Sequence, residues 1–258
     1  MLSFKEELFI LLHLNPKKGA LVKLTPNSSE LIAFGGILVE LMLSGRVCLE
    51  EDQLAVTDTS PTGDDILDEA ITQLAPAQPV NLKKPEWLLP IAQRVPIGHR
   101  LFACLLEKGV LTQQKERAWF GLSQTTIYPV AAGVIQQIIE HERDVMLRGA
   151  KPDPHMAALL FMNSVWGGAS LNAGLSPAER RTHQTRWEAL FGDYWGAYPM
   201  EQKTEPIEGL DPALRSAIGV VAISWTTIQT RYVSDDYAIW HHLRDIHISE
   251  AVVQKLSP

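Results

Sequence analysis

Residues 60–70 read Ser60-Pro61-Thr62-Gly63-Asp64-Asp65-Ile66-Leu67-Asp68-Glu69-Ala70. Pro61 and Gly63 interrupt what precedes them. The acids Asp64, Asp65 and Asp68 then fall in the opening turn of a helix predicted to run through Leu74. Negative side chains there complement the positive end of the helix macrodipole, and Thr62 is placed to cap the free backbone N–H groups. The stretch reads as a helix start, and helical signals continue on both sides of it.

Upstream, Ser3 followed by Glu6 spells a capping box, and Phe4, Leu8, Leu11 and Leu12 then share one apolar face. Asn15-Pro16-Lys17-Lys18-Gly19 ends that helix. A second helix is predicted from Asn27 to Ser44, stopped by Gly45, with Gly35-Gly36 inside it allowing close helix packing. Arg46-Val47-Cys48-Leu49 and Leu54-Ala55-Val56 flank a polar turn and read as a short hairpin. Downstream, four prolines within residues 76–90 make an irregular connection. A helix over 97–108 stops at Gly109, and Val110-Leu111 and Ala118–Leu122 are predicted to pair as short strands. Further helices are predicted at about 133–148, 155–172, 177–190, 212–231 and 235–247, with Asp211-Pro212 as a cap and a first helical position. The class is mainly α with short β-hairpins. At an offset of 64, Leu38, Leu41, Gly45 and Val47 echo Phe102, Leu105, Gly109 and Leu111. Each set reads as a helix, a glycine stop and an edge strand.

The chain has 258 residues, with 46% hydrophobic and 21% charged, which excludes disordered, collagen-like and disulfide-framework proteins. The longest apolar run, Leu31–Leu43, is interrupted by Glu40 and falls short of the roughly twenty residues of a spanning helix. The acids of the opening Met1-Leu2-Ser3-Phe4-Lys5-Glu6-Glu7 do not fit a signal peptide, and the two cysteines, Cys48 and Cys104, have no metal-ligand spacing. A cytoplasmic protein is the expectation. Net charge is −7, and residues 51–80 account for it with seven acids and no Lys or Arg. Such acidity opposes binding to nucleic acid, yet leaves the neutral remainder free to present a local basic face.

Asp64, Asp65 and Asp68 also spell DDxxD, and on a helix they share one side. All-α isoprenoid synthases hold Mg²⁺ and diphosphate with such a cluster. Asp235-Asp236 has no third acid to complete a second cluster, so the helix-start reading is preferred. His141-Glu142 lacks the second histidine of a zinc-protease motif, and His241, His242, Asp245 and His247 read as a solvated helix face. No nucleophile, base and oxyanion donor come together. A non-catalytic domain with no metal and no cofactor is expected.

These segments combine into a known pattern. Residues 60–70 closely resemble the (A/S)PTGD-x-x-LDEA stretch of the Golgi phosphoprotein 3 family. Leu106-Glu107-Lys108-Gly109-Val110-Leu111-Thr112 is similar to its (V/L)EKGVLT, and Leu38–Arg46 to its LIEL-x-L-x-GR. The opening Leu2-Ser3-Phe4 with Glu6-Glu7 fits too, in matching order and spacing over about residues 2–145, and Asp153-Pro154-His155 continues the match. The resemblance implies a single domain over residues 1–258, a helix bundle wrapped by amphipathic helices. It implies a cytosolic, non-catalytic peripheral membrane protein that binds phosphatidylinositol 4-phosphate and acts as an adaptor for protein clients. It also implies a hairpin with an apolar tip for membrane contact and self-association. The uncharged run Ile127–Ile135, with Val130, Val134 and Ile135, is the expected hairpin.

Thr25 and Phe34 stand where the family has a tryptophan and an arginine for the head group, and Val95 and Gly98 where it has arginines. Phosphate recognition needs the charge and the forked donors of Arg. Arg100 is the matched arginine; Arg94, one residue out of register, and His99 complete the candidate anion site. A soluble protein-interaction domain without lipid binding is the alternative. The resemblance begins at Leu2, without the basic segment that Golgi members place ahead of the domain. That reads as a minimal member, for which a Golgi location would apply only in a eukaryote.

Overall fold

The computed structural model describes residues 2–15, 17–21, 26–50, 53–77, 80–81, 97–117, 124–165 and 174–191. The described helices are α1 (Phe4–His13), α2 (Pro26–Leu43), α3 (Asp65–Leu74), α4 (Ile97–Glu107), α5 (Ala132–Met146), α6 (Pro154–Val165) and α7 (Pro177–Phe191). The strands are β1 (Leu14–Asn15), β2 (Ala20–Leu21), β3 (Val47–Glu50), β4 (Gln53–Val56), β5 (Val80–Asn81), β6 (Gln114–Arg117) and β7 (Gln124–Pro129). They form two small antiparallel sheets, ordered β1-β2-β7-β6 and β3-β4-β5. The mainly helical class and the β3–β4 hairpin follow the sequence reading.

Helices α1 and α2 form the centre. Phe4, Leu8, Phe9, Ile10 and Leu11 of α1 pack with Phe34, Ile37, Leu38 and Leu41 of α2, all nearly solvent-free. Each such side chain contributes about 1.5–3 kcal/mol of burial free energy. Around this pair, α4 and α6 touch both central helices, α3 touches α2, and α5 carries α7. At Gly36 the central helices pack closely: a Cβ there would meet Lys5 Cα and Leu8 Cδ2 at 3.4 Å. Among the described residues no helix is long and apolar enough to cross a membrane. Neither Cys48 nor Cys104 is in a disulfide.

The echo between residues 38–47 and 102–111 has a structural cause. Helix α2 ends with Gly45 N–H donating to Met42 O (3.0 Å) and Arg46 N–H to Leu41 O (2.9 Å). Helix α4 ends with Gly109 N–H donating to Leu106 O (3.0 Å) and Val110 N–H to Leu105 O (3.0 Å). Both glycines sit at positive φ, 69° and 67°, as this C-terminal cap requires.

Three expectations change. The cap of α3 is Asp64, not Thr62: Asp64 Oδ1 accepts from Ile66 N–H (2.9 Å) and Leu67 N–H (3.1 Å). Leu111 bridges to Val130, and β7 pairs with β6 on one side and β2 on the other; Ala118–Leu122 lies outside the described residues. Residues 127–135 are not a hairpin. They cross from β7 into α5, whose first turns extend an apolar face from Val134 and Ile135 to the buried Ile138. Their lack of charge serves packing: Val130 is buried and donates its N–H to Gly19 O, and Val134 and Ile135 lean on the core. Residues 166–172, 212–231 and 235–247 lie outside the described residues.

Candidate functional site

Three consecutive side chains of α1 carry charge into the protein and meet partners from four other helices or their ends. Lys5 is 2% exposed, and its Nζ lies 3.1 Å from Glu40 Oε1 of α2 and 2.8 Å from Asp64 Oδ2 at the start of α3. Its N–H also donates to Glu40 Oε2 at 2.9 Å. Glu6, equally buried, accepts from Lys108 Nζ at the end of α4 (2.6 Å), from Cys104 Sγ (3.5 Å) and from the Ser3 N–H (3.0 Å). Glu7 meets His155 Nε2, in the first turn of α6, at 2.8 Å. Burial alone would raise the Glu6 and Asp64 carboxyls. The donors on each, Lys108 and Ser3 N–H for Glu6 and Lys5 with two backbone N–H groups for Asp64, outweigh it and hold both below the ordinary range.

The DDxxD acids are thereby assigned. Asp64 caps α3 and pairs with Lys5, and Asp68 accepts from Thr62 N–H and Oγ1, both at 2.7 Å. Asp65 points to solvent. Among the described residues no three His, Cys, Asp or Glu side chains are grouped to hold a metal ion. Other acids of the 51–80 stretch are likewise matched by bases from elsewhere, Asp58 by Arg46 (2.7 Å) and Glu69 by Arg100 (2.7 Å).

The amino end of α4 holds the predicted anion-binding residues. Arg94 lies outside the described residues. His99 is exposed, and Arg100, one-third exposed, gives its guanidinium to Glu69 Oε2. The free N–H groups of the helix end are met by Glu30, from the second turn of α2, whose Oε2 accepts from Gly98 N–H at 2.7 Å. Burial pushes the Glu30 carboxyl up, against the pull of the Gly98, His99 and Ile97 N–H groups. The protein thus places its own carboxylate where a helix end attracts an anion. Phe34, at the family's arginine position, is 1% exposed and part of the core. Thr25 and Val95 lie outside the described residues. Glu30 escaped the sequence reading because 68 residues separate it from Gly98. The only local signal was an acid in the opening turns of a helix, where a dipole explanation suffices.

A second polar contact joins α5 and α7. Glu142, 5% exposed, lies 3.5 Å from His183 Nε2, and Arg186 donates to Val145 O and Ala150 O. Burial raises the Glu142 carboxyl, with His183 pulling the other way. None of these geometries assembles a reaction centre; they fasten helices together.

Comparison with known proteins gives the chain a family. The chain is 28% identical over 191 residues to vacuolar protein sorting-associated protein 74 of Eremothecium gossypii, covering 64% of this chain and 56% of that protein. The chain thus spans a little over half that relative's length. The family model described as Golgi phosphoprotein 3 (GPP34) matches residues 5–205, taking in α1 through α7. The chain belongs to the Golgi phosphoprotein 3 family.

Proposed function

We propose that the chain is a non-catalytic adaptor domain that docks peripherally on an anionic membrane surface and holds protein clients there. Family membership supports the adaptor class. The commitment of the motif charges Lys5, Glu6, Glu40, Asp64 and Lys108 to intramolecular pairs supports the absence of catalysis. Lipid contact at His99, Arg100 and Arg94 is weak and not selective for phosphatidylinositol 4-phosphate. The observation that carries this reading is the pair of internal carboxylates: a lipid phosphate must displace Glu69 from Arg100 and Glu30 from the α4 amino end. The six residues joining β6 to β7, 118–123, include Trp119, Phe120 and Leu122 and no charge. These residues lie outside the described residues, and it is their apolar composition alone that supports giving membrane contact to them in place of 127–135.

Co-sedimentation tests the reading with three vesicle compositions: phosphatidylcholine alone, with phosphatidylserine, and with phosphatidylinositol 4-phosphate. Similar pelleting with both anionic mixtures is expected. Selective pelleting with the phosphoinositide would show that head-group recognition survives on a rearranged site. The absence of pelleting would favour the second reading, a protein-interaction domain without lipid binding. Burial of Phe34 at the family's arginine position supports that reading.

A further inference from the structure

We propose that His155 and Glu7 form a proton-operated clasp that fastens the first turn of α6 to α1. The two side chains meet at 2.8 Å although 148 residues separate them. The imidazole is 37% exposed, so solvent protons reach it, while Glu7 is 17% exposed. Phe4 holds the ring edge-on, with centroids 5.4 Å apart. The rest of the setting is acidic. Asp153 caps α6 by accepting from Met156 N–H at 2.7 Å, and Glu40 faces the ring from α2. Lys5 of α1 is committed elsewhere, shared between Glu40 and Asp64. From α5, Glu142 and Arg143 engage His183 and Glu140.

A protonated His155 balances this group of carboxylates. Loss of the proton removes the positive charge set against Glu7, Asp153 and Glu40, and turns a charge-assisted contact into an ordinary hydrogen bond. The Glu7 hydrogen bond, with Asp153 and Glu40 behind it, raises the imidazole above its ordinary value. The clasp is therefore closed at and below the ordinary imidazole value near 6.5 and loosens as pH rises through the raised one. Buried Met156–Met162 of α6 make this a joint in the core rather than a surface ornament.

NMR on the full chain tests it, following the His155 ring signals and the protection of α6 amides across roughly pH 5 to 9. The expected midpoint for His155 lies above that of a free imidazole. Protection of the first turns of α6 falls through that window, by up to about tenfold per pH unit. His155→Gln, which can still donate to Glu7, should give a flat profile, and Glu7→Gln should move the His155 midpoint down. A native midpoint at or below the free value would overturn the proposal. So would an equal loss of protection in the His155→Gln protein. Should that variant not fold, the native midpoint and its shift in Glu7→Gln decide alone.

Discussion

The amino ends of α1 and α4 each carry charged or titratable side chains in the opening turn and differ in what surrounds them. At α1, Lys5 and Glu6 are 2% exposed and their partners come from α2, α3 and α4, so their charges cannot be exchanged without opening the core. At α4, Arg100 and Glu69 are 33% and 42% exposed, and His99 faces solvent. A partner there can be traded for a ligand while the fold stays intact. The family motifs concentrate at the first region, which holds the helices together. The proposed lipid contact falls in the second, at Arg100 and His99.

Lys5→Met tests the buried side of that contrast and should have the largest effect. It leaves Glu40 and Asp64 without their cation, and breaking a buried pair from one side costs about 3 kcal/mol or more. Urea unfolding should show that loss; a change below about 1 kcal/mol would mean that the hub is not structural.

A second buried group sharpens the picture through pH. His13 is 3% exposed, stacks on Phe9 and gives its Nδ1–H to Phe9 O at 2.6 Å; burial pushes its pKa down to about 3. Its contribution is complete above the ordinary value near 6.5. It falls as pH drops, by up to about 1.4 kcal/mol per unit, because the unfolded chain takes up a proton that the folded one refuses. Thermal melting between about pH 7 and 5 should show this slope, and His13→Gln should flatten it.

At the exposed region the expected effects on stability are small. Arg100→Ala removes a half-exposed pair and should shift stability by about 0.5 kcal/mol in urea unfolding. Gly36→Ala, where α2 packs closely on α1, should stay within about 1 kcal/mol of the native protein. The helix gains from alanine and the methyl just reaches Lys5 Cα. Gly36→Leu, with no room beyond that methyl, should cost more by the same assay.

The helical class and the glycine stops after α2 and α4 were legible from local pattern, because capping and glycine conformation act within a few residues. The burial of Lys5 and Glu6 was not. Beside Phe4 and Leu8 they read as the solvated side of an amphipathic helix, and only partners 35 to 102 residues away reverse that. The run 127–135 misled for a related reason: an uncharged stretch suits a membrane tip and a strand-to-helix junction against the core equally well. At the candidate site His99 and Arg100 could be picked out by type, whereas Glu30 and Glu69 as their competitors are a product of the fold.

The most direct test of the account is vesicle binding by the Glu30→Gln, Glu69→Gln double variant beside the native chain. Phosphatidylcholine vesicles carrying phosphatidylserine would be used, with circular dichroism confirming that both proteins are folded. Release of the α4 amino end and Arg100 from their internal carboxylates predicts tighter binding by the variant. Unchanged binding by a folded variant would contradict the claim that these carboxylates hold the place of an external anion.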